Sequence, residues 1–594
     1  MRAAPSPTLP RCLNRSPKWK AASTLSVLTA LVLSTTTMAA LLAPTAAASA
    51  AQLQRDGQSI ASIPVVAKPA NNKRSRAGTS TPQQVTGAVR VTVTGDRVTV
   101  ADASNRLIIS NWRPSLAQVP PTLRSSVRVQ AFADGFDLVY EFSNKTNATV
   151  AINGLSLPPL ALGPSVELHD FEHSGWPVAL SGVGTRRQAS YPNELYAPVF
   201  VLSGSGVTAG ISLQYPVLEF RHDASLSTTS TSFGTWQPEV RFGGAMMQGD
   251  RWWGHHAAVP PNQSRRYTVS VRFAPSSADW KSTLQPYRDY FRTTYGPVAY
   301  SRQSAPIKGI AFAAMDRQSA ANPNGWNPVA DDPHRNGYRV ASRAIEDALR
   351  TSARVIVWAP TGLAYQNRAL NYPPQFASRW TNPGSDALPM RDAVEHLRRI
   401  GTSGNRHWGL WWGHAAEVSP GWDMMPLSRA DLANPSHRAL LQAELRAAVA
   451  AGAKVIGLDA FAHSHNPLWN LTGLLEFFRQ EAPGVTFCTE GRACDILHRL
   501  APTWLDAYSM HATSAGSKLR IRGPFHLADF LVPGHETWAG MCYDRCGDPN
   551  LFGPNASAAA QTRDIHRIIQ YGYVPVTWLP LHLDQVVASV PTSR

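Results

Sequence analysis

The sequence predicts an N-terminal antiparallel β-sandwich followed by a TIM-like (β/α)8 barrel. The chain of 594 residues is too long for one ordinary core. Short runs of alternating character dominate its first half, and in the second half continuous apolar runs alternate with helical patterns. The predicted segments are a signal peptide (1–50), a disordered linker (51–82), the β-sandwich (83–275), a connector helix (276–305) and the barrel (306–594).

The N-terminal segment has the layout of a secretory leader. Basic residues precede an apolar stretch from Leu25 to Ala43, and Ala48-Ser49-Ala50 supplies a cleavage site of small residues. The apolar stretch is long for a leader, so an uncleaved membrane anchor is the alternative. We expect a secreted or periplasmic protein with no stable membrane insertion after the leader is cleaved.

The charge balance is basic, with a formal net charge of +16. The arginines are scattered, and the sequence has no basic helix and no basic strand interleaved with aromatic residues. We therefore predict no nucleic-acid partner. The 18 Trp residues indicate either a large aromatic core or flat surfaces on which a ligand stacks.

Four cysteines follow the leader, at positions Cys488, Cys494, Cys542 and Cys546. An even number in a secreted chain predicts disulfide bonds, and three pairings are possible. A zinc site with four cysteine ligands is the alternative. The spacings within the two cysteine pairs do not both match the usual zinc spacing, so we predict no metal and no cofactor.

Two hairpins open the predicted sandwich. One turns at Gly95-Asp96 and the other at Asp134-Gly135, each between β-branched runs. Later runs have the same strand character and no long helical periodicity separates them: APVFVLSG, VTAGISLQY and RRYTVSVRF.

The connector has a different period. Trp280, Leu284, Tyr287 and Phe291 recur at steps of three and four residues. This spacing predicts an amphipathic helix that ends at Gly296.

The predicted barrel begins near residue 308. Its strands are the runs KGIAFAAM, ARVIVWAP, HWGLWWG, AKVIGLDAF, VTFCTEG, DAYSMHA, FHLADFLV and YVPVTWLP. Helical periodicity separates several of them, but no convincing helix joins the sixth run to the seventh. A doubly wound open sheet is the competing fold.

In such a barrel the active site lies at the carboxyl ends of the strands. The residues at those ends are rich in carboxylates, His and Trp, whereas Gly, Asn and Ser would be ordinary there. They are Asp316, Trp358, Trp411, Trp412, His414, Asp459, Glu490, His511, His535 and Trp578. Their convergence predicts a functional site.

Asp459 and Glu490 end the fourth and fifth predicted strands. Adjacent strands lie about 4.8 Å apart, and the two carboxyl groups of a retaining glycosidase stand about 5–5.5 Å apart. The pair therefore predicts glycoside hydrolysis, with Asp459 as nucleophile and Glu490 as acid and then base. The expected substrate-binding residues are Asp316, Trp358, Trp411, Trp412, His414, His511 and Trp578.

Each of these residues also has a structural interpretation. Asp459 could cap the following helix, Glu490 could pair with Arg492, and the Trp rings could fill the top of the barrel. His463 and His465 could ligate a metal, but the first strand lacks the His-x-His pair of barrel metallohydrolases. The sequence also lacks a G-x-S-x-G motif and a Walker A motif.

A secreted β-sandwich followed by a barrel, with Asp459 of the GLDAF motif ending the fourth strand and Glu490 of the CTEG motif ending the fifth, resembles the endo-α-N-acetylgalactosaminidase family of glycoside hydrolases. The resemblance implies a retaining enzyme acting on α-linked galactose-type sugars, with the same two residues as nucleophile and acid/base. More distantly the chain resembles the α-galactosidase clan, whose acid/base Asp follows the sixth strand. The sequence places Asp506 at the start of that strand, so the role is not assigned to it.

Three functions remain open at this stage. The first is a secreted glycoside hydrolase with a carbohydrate substrate. The second is a non-catalytic glycan-binding envelope protein with a degenerate barrel, and the third is a metal-dependent hydrolase.

Overall fold

The structure is a computed structural model, and its described residues belong to one compact unit that spans residues 80–594. The residues it describes are 89–116, 119–171, 177–243, 255–303, 307–311, 346, 349–350, 354–358, 398–399, 407–412, 415–418, 428–450, 452–459, 461, 466–490, 493–506, 508–509, 520–521, 526–540, 566 and 568–577. The predicted leader and linker lie outside these residues, and the predicted domain boundaries stay predictions.

Antiparallel strands make up the first half, as the sequence predicts. They are β1 (Val89–Thr94), β2 (Arg97–Asp102), β3 (Leu107–Trp112), β4 (Leu123–Phe132), β5 (Gly135–Asn144), β6 (Val150–Ile152), β7 (Gly154–Leu155), β8 (Leu160–Ala161), β9 (Ser165–His169), β10 (Val178–Ser181), β11 (Arg186–Tyr191), β12 (Val199–Gly204), β13 (Val207–Gln214), β14 (Ala224–Ser232), β15 (Thr235–Phe242), β16 (Ala257–Val259) and β17 (Ser264–Pro275). A short helix α1 (Val217–Phe220) follows β13.

Two large sheets form the sandwich. One has the order β10-β9-β12-β13-β17-β5-β4, and the other has the order β11-β14-β15-β7. Alternate residues of β5 point into the core between them, because Phe136, Leu138, Tyr140 and Phe142 are fully buried. A third sheet, β1-β2-β3, and a two-stranded sheet, β16-β6, complete this half.

The first predicted hairpin is confirmed, and the second turns one residue earlier than predicted. β1 and β2 pair around Gly95-Asp96. Phe132 pairs with Gly135, so the second turn is Ala133-Asp134. Gly135 serves close packing instead of the turn, because a Cβ there would lie 2.0 Å from the Val271 carbonyl oxygen of β17.

The connector is a 3-10 helix (Trp280–Leu284) that continues into α2 (Gln285–Tyr295). Leu284, Tyr287 and Phe291 are buried, as their spacing predicts. The helix ends at Gly296, whose φ of 81° few other residues adopt.

Eight parallel strands of the second half close into a barrel. In chain order they are β18 (Ile307–Ala311), β19 (Arg354–Trp358), β20 (His407–Trp412), β23 (Val455–Leu458), β24 (Thr486–Glu490), β25 (Thr503–Asp506), β28 (Thr537–Gly540) and β29 (Val574–Thr577). β29 pairs with β18, which closes the ring and excludes the open sheet. Two small hairpins interrupt the order: β21 (Glu417–Val418) with β22 (Ser428–Arg429), and β26 (Tyr508–Ser509) with β27 (Arg520–Ile521).

Helical residues occur in each connection between barrel strands. The described helices are α3 (Pro435–Ala450), α4 (Leu468–Glu481), α5 (Asp495–Leu500) and α6 (His526–Leu531). Residues 346, 349–350, 398–399, 566 and 568–570 are also helical. The strand–helix alternation thus agrees with the prediction up to β29. A helix after β29 would lie outside the described residues, so the complete (β/α)8 pattern stays a prediction.

Two predicted barrel strands were wrong. The sixth strand is β25, which ends at Asp506, whereas the sequence placed its start there. The seventh predicted run, FHLADFLV, contains helix α6, whose buried residues Leu527, Ala528 and Leu531 lie on one helical face. The seventh strand is β28, and α6 is the connection from the sixth strand that the sequence did not reveal.

A buried ion pair fills the amino-terminal end of the barrel. Arg354 begins β19, and its guanidinium donates to the Glu536 carboxylate at 2.8 Å; both side chains are 1% exposed. Glu536 also accepts from the backbone N–H of Gln303 at 2.7 Å and from the Trp538 indole. These contacts satisfy the buried carboxylate, so this end is closed by packed side chains.

Among the helices that the structure describes, none is long and apolar enough to cross a membrane.

Candidate active site

The carboxyl ends of β23 and β24 bring Asp459 and Glu490 next to each other. Leu458 pairs with Thr489 in the parallel ladder. Asp459 directly follows Leu458, and Glu490 directly follows Thr489. Neighbouring strand positions lie about 4.8 Å apart. The two acids therefore lie at adjacent positions on the edge of the barrel where barrel enzymes carry their active sites.

Backbone hydrogen bonds hold Asp459 at this edge. Its N–H donates to the Trp412 carbonyl at 2.8 Å, and its carbonyl accepts from the Ala415 N–H at 3.1 Å. The residue is 5% exposed. It does not cap α4, because that helix begins at Leu468 with Pro467 in the capping position.

Glu490 ends β24 and is half-buried. Cys488, two residues earlier, belongs to the apolar cluster inside the barrel, and Glu490 pairs with Trp504, which belongs to the same cluster. Because strand side chains alternate between faces, Glu490 lies on the interior side. The position of Arg492, its suggested structural partner, lies outside the described residues.

Asp506 also ends a barrel strand, which the sequence analysis did not recognise. β25 runs from Thr503 to Asp506, and Asp506 pairs with Gly540 of β28. Its backbone therefore lies at the carboxyl edge, two strands from Asp459. The sequence pattern assigns the sixth strand to DAYSMHA, which begins at Asp506, and so places this residue at the wrong end of the strand.

Trp412 does not face a ligand. Its side chain is fully buried and packs edge to face on Phe478 of α4, with ring centroids 6.0 Å apart. Trp408 and Leu410 belong to the same cluster between strands and helices. Trp412 therefore fills the layer outside the barrel, and we withdraw the sugar-binding role predicted for it.

His535 lies at the opposite end of the barrel from the two acids. It precedes β28, and its ring lies 4.5 Å from that of His498 in α5. The sequence pattern predicts a carboxyl end there because it assigns FHLADFLV to the seventh strand. Its position at the amino-terminal end removes it from the candidate site.

Several predicted site residues lie outside what the structure describes. For Trp358 and Trp411 the backbone positions at the ends of β19 and β20 are described, and the side chains are not. The residues wholly outside are Asp316, His414, His463, His465, His511 and Trp578. Their predicted roles stay predictions.

The predicted disulfides are not found at the described cysteines. Cys488 and Cys494 are both free thiols in buried positions, and burial raises the pKa of each. Cys488 packs in the apolar interior of the barrel, which explains a cysteine without a disulfide there. Cys542 and Cys546 lie outside the described residues. Within the described part of the chain, no group of three His, Cys, Asp or Glu side chains is arranged to hold a metal.

Two asparagines that the sequence analysis missed support the loop beside Asp459. The Asn466 amide donates to the Ala416 carbonyl. Asn470, one turn later, donates to Asn466 at 2.7 Å and to the Ala430 carbonyl at 2.8 Å. The signal for them is weak, because an N-x-x-x-N spacing is common on helices and their acceptors are distant in sequence.

Comparisons with known proteins identify no family. No family description matches the chain and no curated protein does. Similar solved structures include the alpha-N-acetylgalactosaminidase NagBb from Bifidobacterium bifidum, with 11% identity over 86% of this chain and 91% of that one, at a TM-score of 0.47. The alpha-galactosidase TtGalA from Thermus thermophilus has 11% sequence identity over 78% of this chain and 99% of that one, at a TM-score of 0.42. A glycoside hydrolase family 97 enzyme from Pseudoalteromonas sp. strain K8 has 9% sequence identity over 85% of this chain and 82% of that one, at a TM-score of 0.43. At these scores the likeness carries no argument about activity.

Proposed function

We propose that this protein is a secreted retaining glycoside hydrolase, with Asp459 as nucleophile and Glu490 as acid/base. The observation that carries the proposal is the adjacent placement of the two acids at the carboxyl ends of β23 and β24. A strand spacing of about 4.8 Å suits the carboxyl separation of about 5–5.5 Å in retaining enzymes. Secretion rests on the leader-like N-terminal sequence.

The placement of each acid suits its proposed role. The N–H and the carbonyl of Asp459 both form backbone hydrogen bonds. These bonds fix the backbone from which the carboxylate would attack the anomeric carbon. Glu490 would protonate the leaving oxygen, and its carboxylate would then take a proton from the water that cleaves the glycosyl ester. A neighbouring carboxylate favours the protonated form that the first step needs.

The substrate class is an α-linked galactose-type or N-acetylgalactosamine-type glycoside. This part rests on the resemblance of the predicted architecture, in which Asp459 and Glu490 end the fourth and fifth strands, to the endo-α-N-acetylgalactosaminidase family. Apart from the two acids, the side chains that we still predict to contact the sugar lie outside the described residues.

The test is hydrolysis of aryl α-galactosides and aryl α-N-acetylgalactosaminides by the full chain. We expect Asp459→Asn to lower kcat by about four orders of magnitude or more, because covalent catalysis is lost. Glu490→Gln should impair substrates with poor leaving groups far more than dinitrophenyl glycosides, which need little acid assistance. Trp412→Phe is a control, since the Trp412 side chain packs on α4, outside the barrel. If the unaltered chain binds sugar without hydrolysing it, the proposed hydrolase activity is contradicted and a non-catalytic glycan-binding protein is favoured.

Asp506 is a second candidate for the acid/base, because it too ends a barrel strand. Asp506→Asn and Glu490→Gln should therefore be compared on the same pair of leaving groups. The variant whose loss depends on the leaving group identifies the acid. If that variant is Asp506→Asn, the role proposed for Glu490 is wrong and the nucleophile assignment is unaffected.

A further inference from the structure

The outer surface of the seven-stranded sheet carries a concentration of basic and hydroxyl side chains. We call it the basic face and define it by Arg124, Arg128, Lys145 and Arg266, with the hydroxyl residues Ser126, Ser143 and Ser264. It borders a trough of about 630 Å³ on β4, β5 and β17. The candidate active site lies on the barrel and shares no residue with it.

The strand register shows that these residues share one side of the sheet, except for Lys145, which follows the end of β5 and lines the trough. Arg124 and Ser264 both pair with Ser143, and Ser126 and Arg266 both pair with Glu141. Arg128 lies two residues beyond Ser126 and therefore on the same side. The opposite side carries the buried Phe142 and Tyr140, which face the sandwich core.

The positive charges of the basic face are exposed and unneutralised. Within the described part of the chain, none of its four basic side chains forms an ion pair, although other arginines of the sandwich do, including Arg186, Arg241 and Arg272. Glu141 lies between them on this side of the three strands, and the other acid of that side, Asp137, pairs with Arg272 at 2.9 Å. Residues 89–275 contain 15 basic and 13 acidic side chains, so the excess charge is local to this face.

We propose that the basic face binds an anionic polysaccharide. Arg124 and Arg128 are separated by four residues along one strand, about 14 Å, and Arg266 lies two strands away, about 10 Å across. Cations at such distances do not converge on one small anion. They suit a linear polymer whose charges are spaced along its length.

The other side chains favour a polysaccharide over a nucleic acid. The hydroxyl groups of Ser126, Ser143 and Ser264 lie between the cations, and hydroxyl side chains hydrogen-bond to sugar hydroxyls. The one aromatic residue that lines the trough, Phe142, is buried in the sandwich core. A single-stranded nucleic acid would require exposed aromatic rings for base stacking.

The test is binding of the full chain to polygalacturonate by calorimetry at low and moderate salt. We expect the triple variant Arg124→Ser, Arg128→Ser, Arg266→Ser to bind about tenfold more weakly and with a smaller salt dependence. The matched control replaces Arg186, Arg187 and Arg241 by Ser, which removes the same charge from exposed positions of the other sheet. An equal loss in both triple variants would mean that net charge alone attracts the polymer, and would overturn the proposal.

Glu141→Gln gives a second readout that misfolding cannot imitate. Removing the acid at the centre of the basic face should tighten polygalacturonate binding about twofold to fivefold. Unchanged or weaker binding would contradict the proposal. Equal binding to neutral dextran, or tighter binding to duplex DNA or to vesicles of anionic phospholipid, would also overturn it.

Discussion

At the scale of single residues, Asp495 is a fully buried carboxyl group that links three elements. It begins α5 and accepts hydrogen bonds from the hydroxyls of Tyr191 in β11, at 2.8 Å, and Tyr287 in α2, at 2.6 Å. Burial raises the pKa of Asp495 to about 7, although these hydrogen bonds act in the opposite direction. The group is therefore neutral in the folded protein at acidic pH.

This pKa predicts a pH-dependent stability. An unfolded Asp titrates near pH 3.9, so between about pH 4 and 7 the folded state binds a proton that the unfolded state has lost. Its contribution is complete below the unfolded pKa and is lost as the pH rises to about 7. Asp495→Asn cannot titrate. We expect the unfolding free energy of this variant, relative to the unaltered chain, to rise by on the order of 2 kcal/mol between pH 5 and 8.

Urea unfolding of both proteins at pH 5 and pH 8 measures this difference. The difference in unfolding free energy between the two proteins cancels the contributions of other titrating groups. One of these is Asp223, because burial raises its pKa to about 7 as well. A difference that does not change with pH would show that Asp495 has an ordinary pKa.

At the scale of elements, the 3-10 helix lies directly on β13. Gly210 of β13 allows this contact, because a Cβ at that position would lie 2.1 Å from the Thr283 hydroxyl and 2.5 Å from the Thr283 Cβ. Thr283 is held in turn by a hydrogen bond to the Trp280 carbonyl at 2.7 Å. The close packing of the connector on β13 therefore requires glycine at position 210.

Gly210→Ala should destabilise the protein by about 1–3 kcal/mol, because the helix has to move away from β13. Gly473→Ala in α4 is the matched control. Apart from its chain neighbours and the backbone of its own helix, no atom lies within 4 Å of a Cβ at position 473. Alanine also favours a helix over glycine by about 1 kcal/mol. Thermal unfolding should thus show a lower Tm for the first variant and an unchanged or higher Tm for the second. Equal Tm values for Gly210→Ala and the unaltered chain would mean that the connector does not pack as described.

At the scale of the whole molecule, the sandwich supplies polar partners to the barrel helices. The Asp170 carboxylate accepts from the backbone N–H of Leu527 in the first turn of α6, at 2.9 Å. The Tyr196 hydroxyl bonds to His498 of α5 at 3.0 Å. These partners satisfy buried groups of short helices, so the two halves should depend on each other for stability.

Asp170→Ala should lower the stability of α6 and of the junction by about 1–2 kcal/mol, the usual loss for a removed helix cap. Asp170→Asn keeps an acceptor, and Asn also tolerates the positive φ of 44° at this position. We expect proteolysis near α6 to quicken in the alanine variant and to change little in the asparagine variant. Equal behaviour of the two variants would indicate that the acceptor has no part in holding α6.

The sequence determines those strands and helices whose patterns depend on residues close together in the chain. The hairpin at Gly95-Asp96, the connector spacing and the apolar run before Asp459 are of this kind. The adjacency of Asp459 and Glu490 was also predictable, since consecutive parallel strands pair. The packing of Trp412 on α4 and the helix within FHLADFLV are visible in the tertiary structure alone. Phe478, on which Trp412 packs, is 66 residues away from it, and Asp170, which accepts from Leu527 in α6, is 357 residues away. Contacts at such separations are beyond the reach of any local pattern.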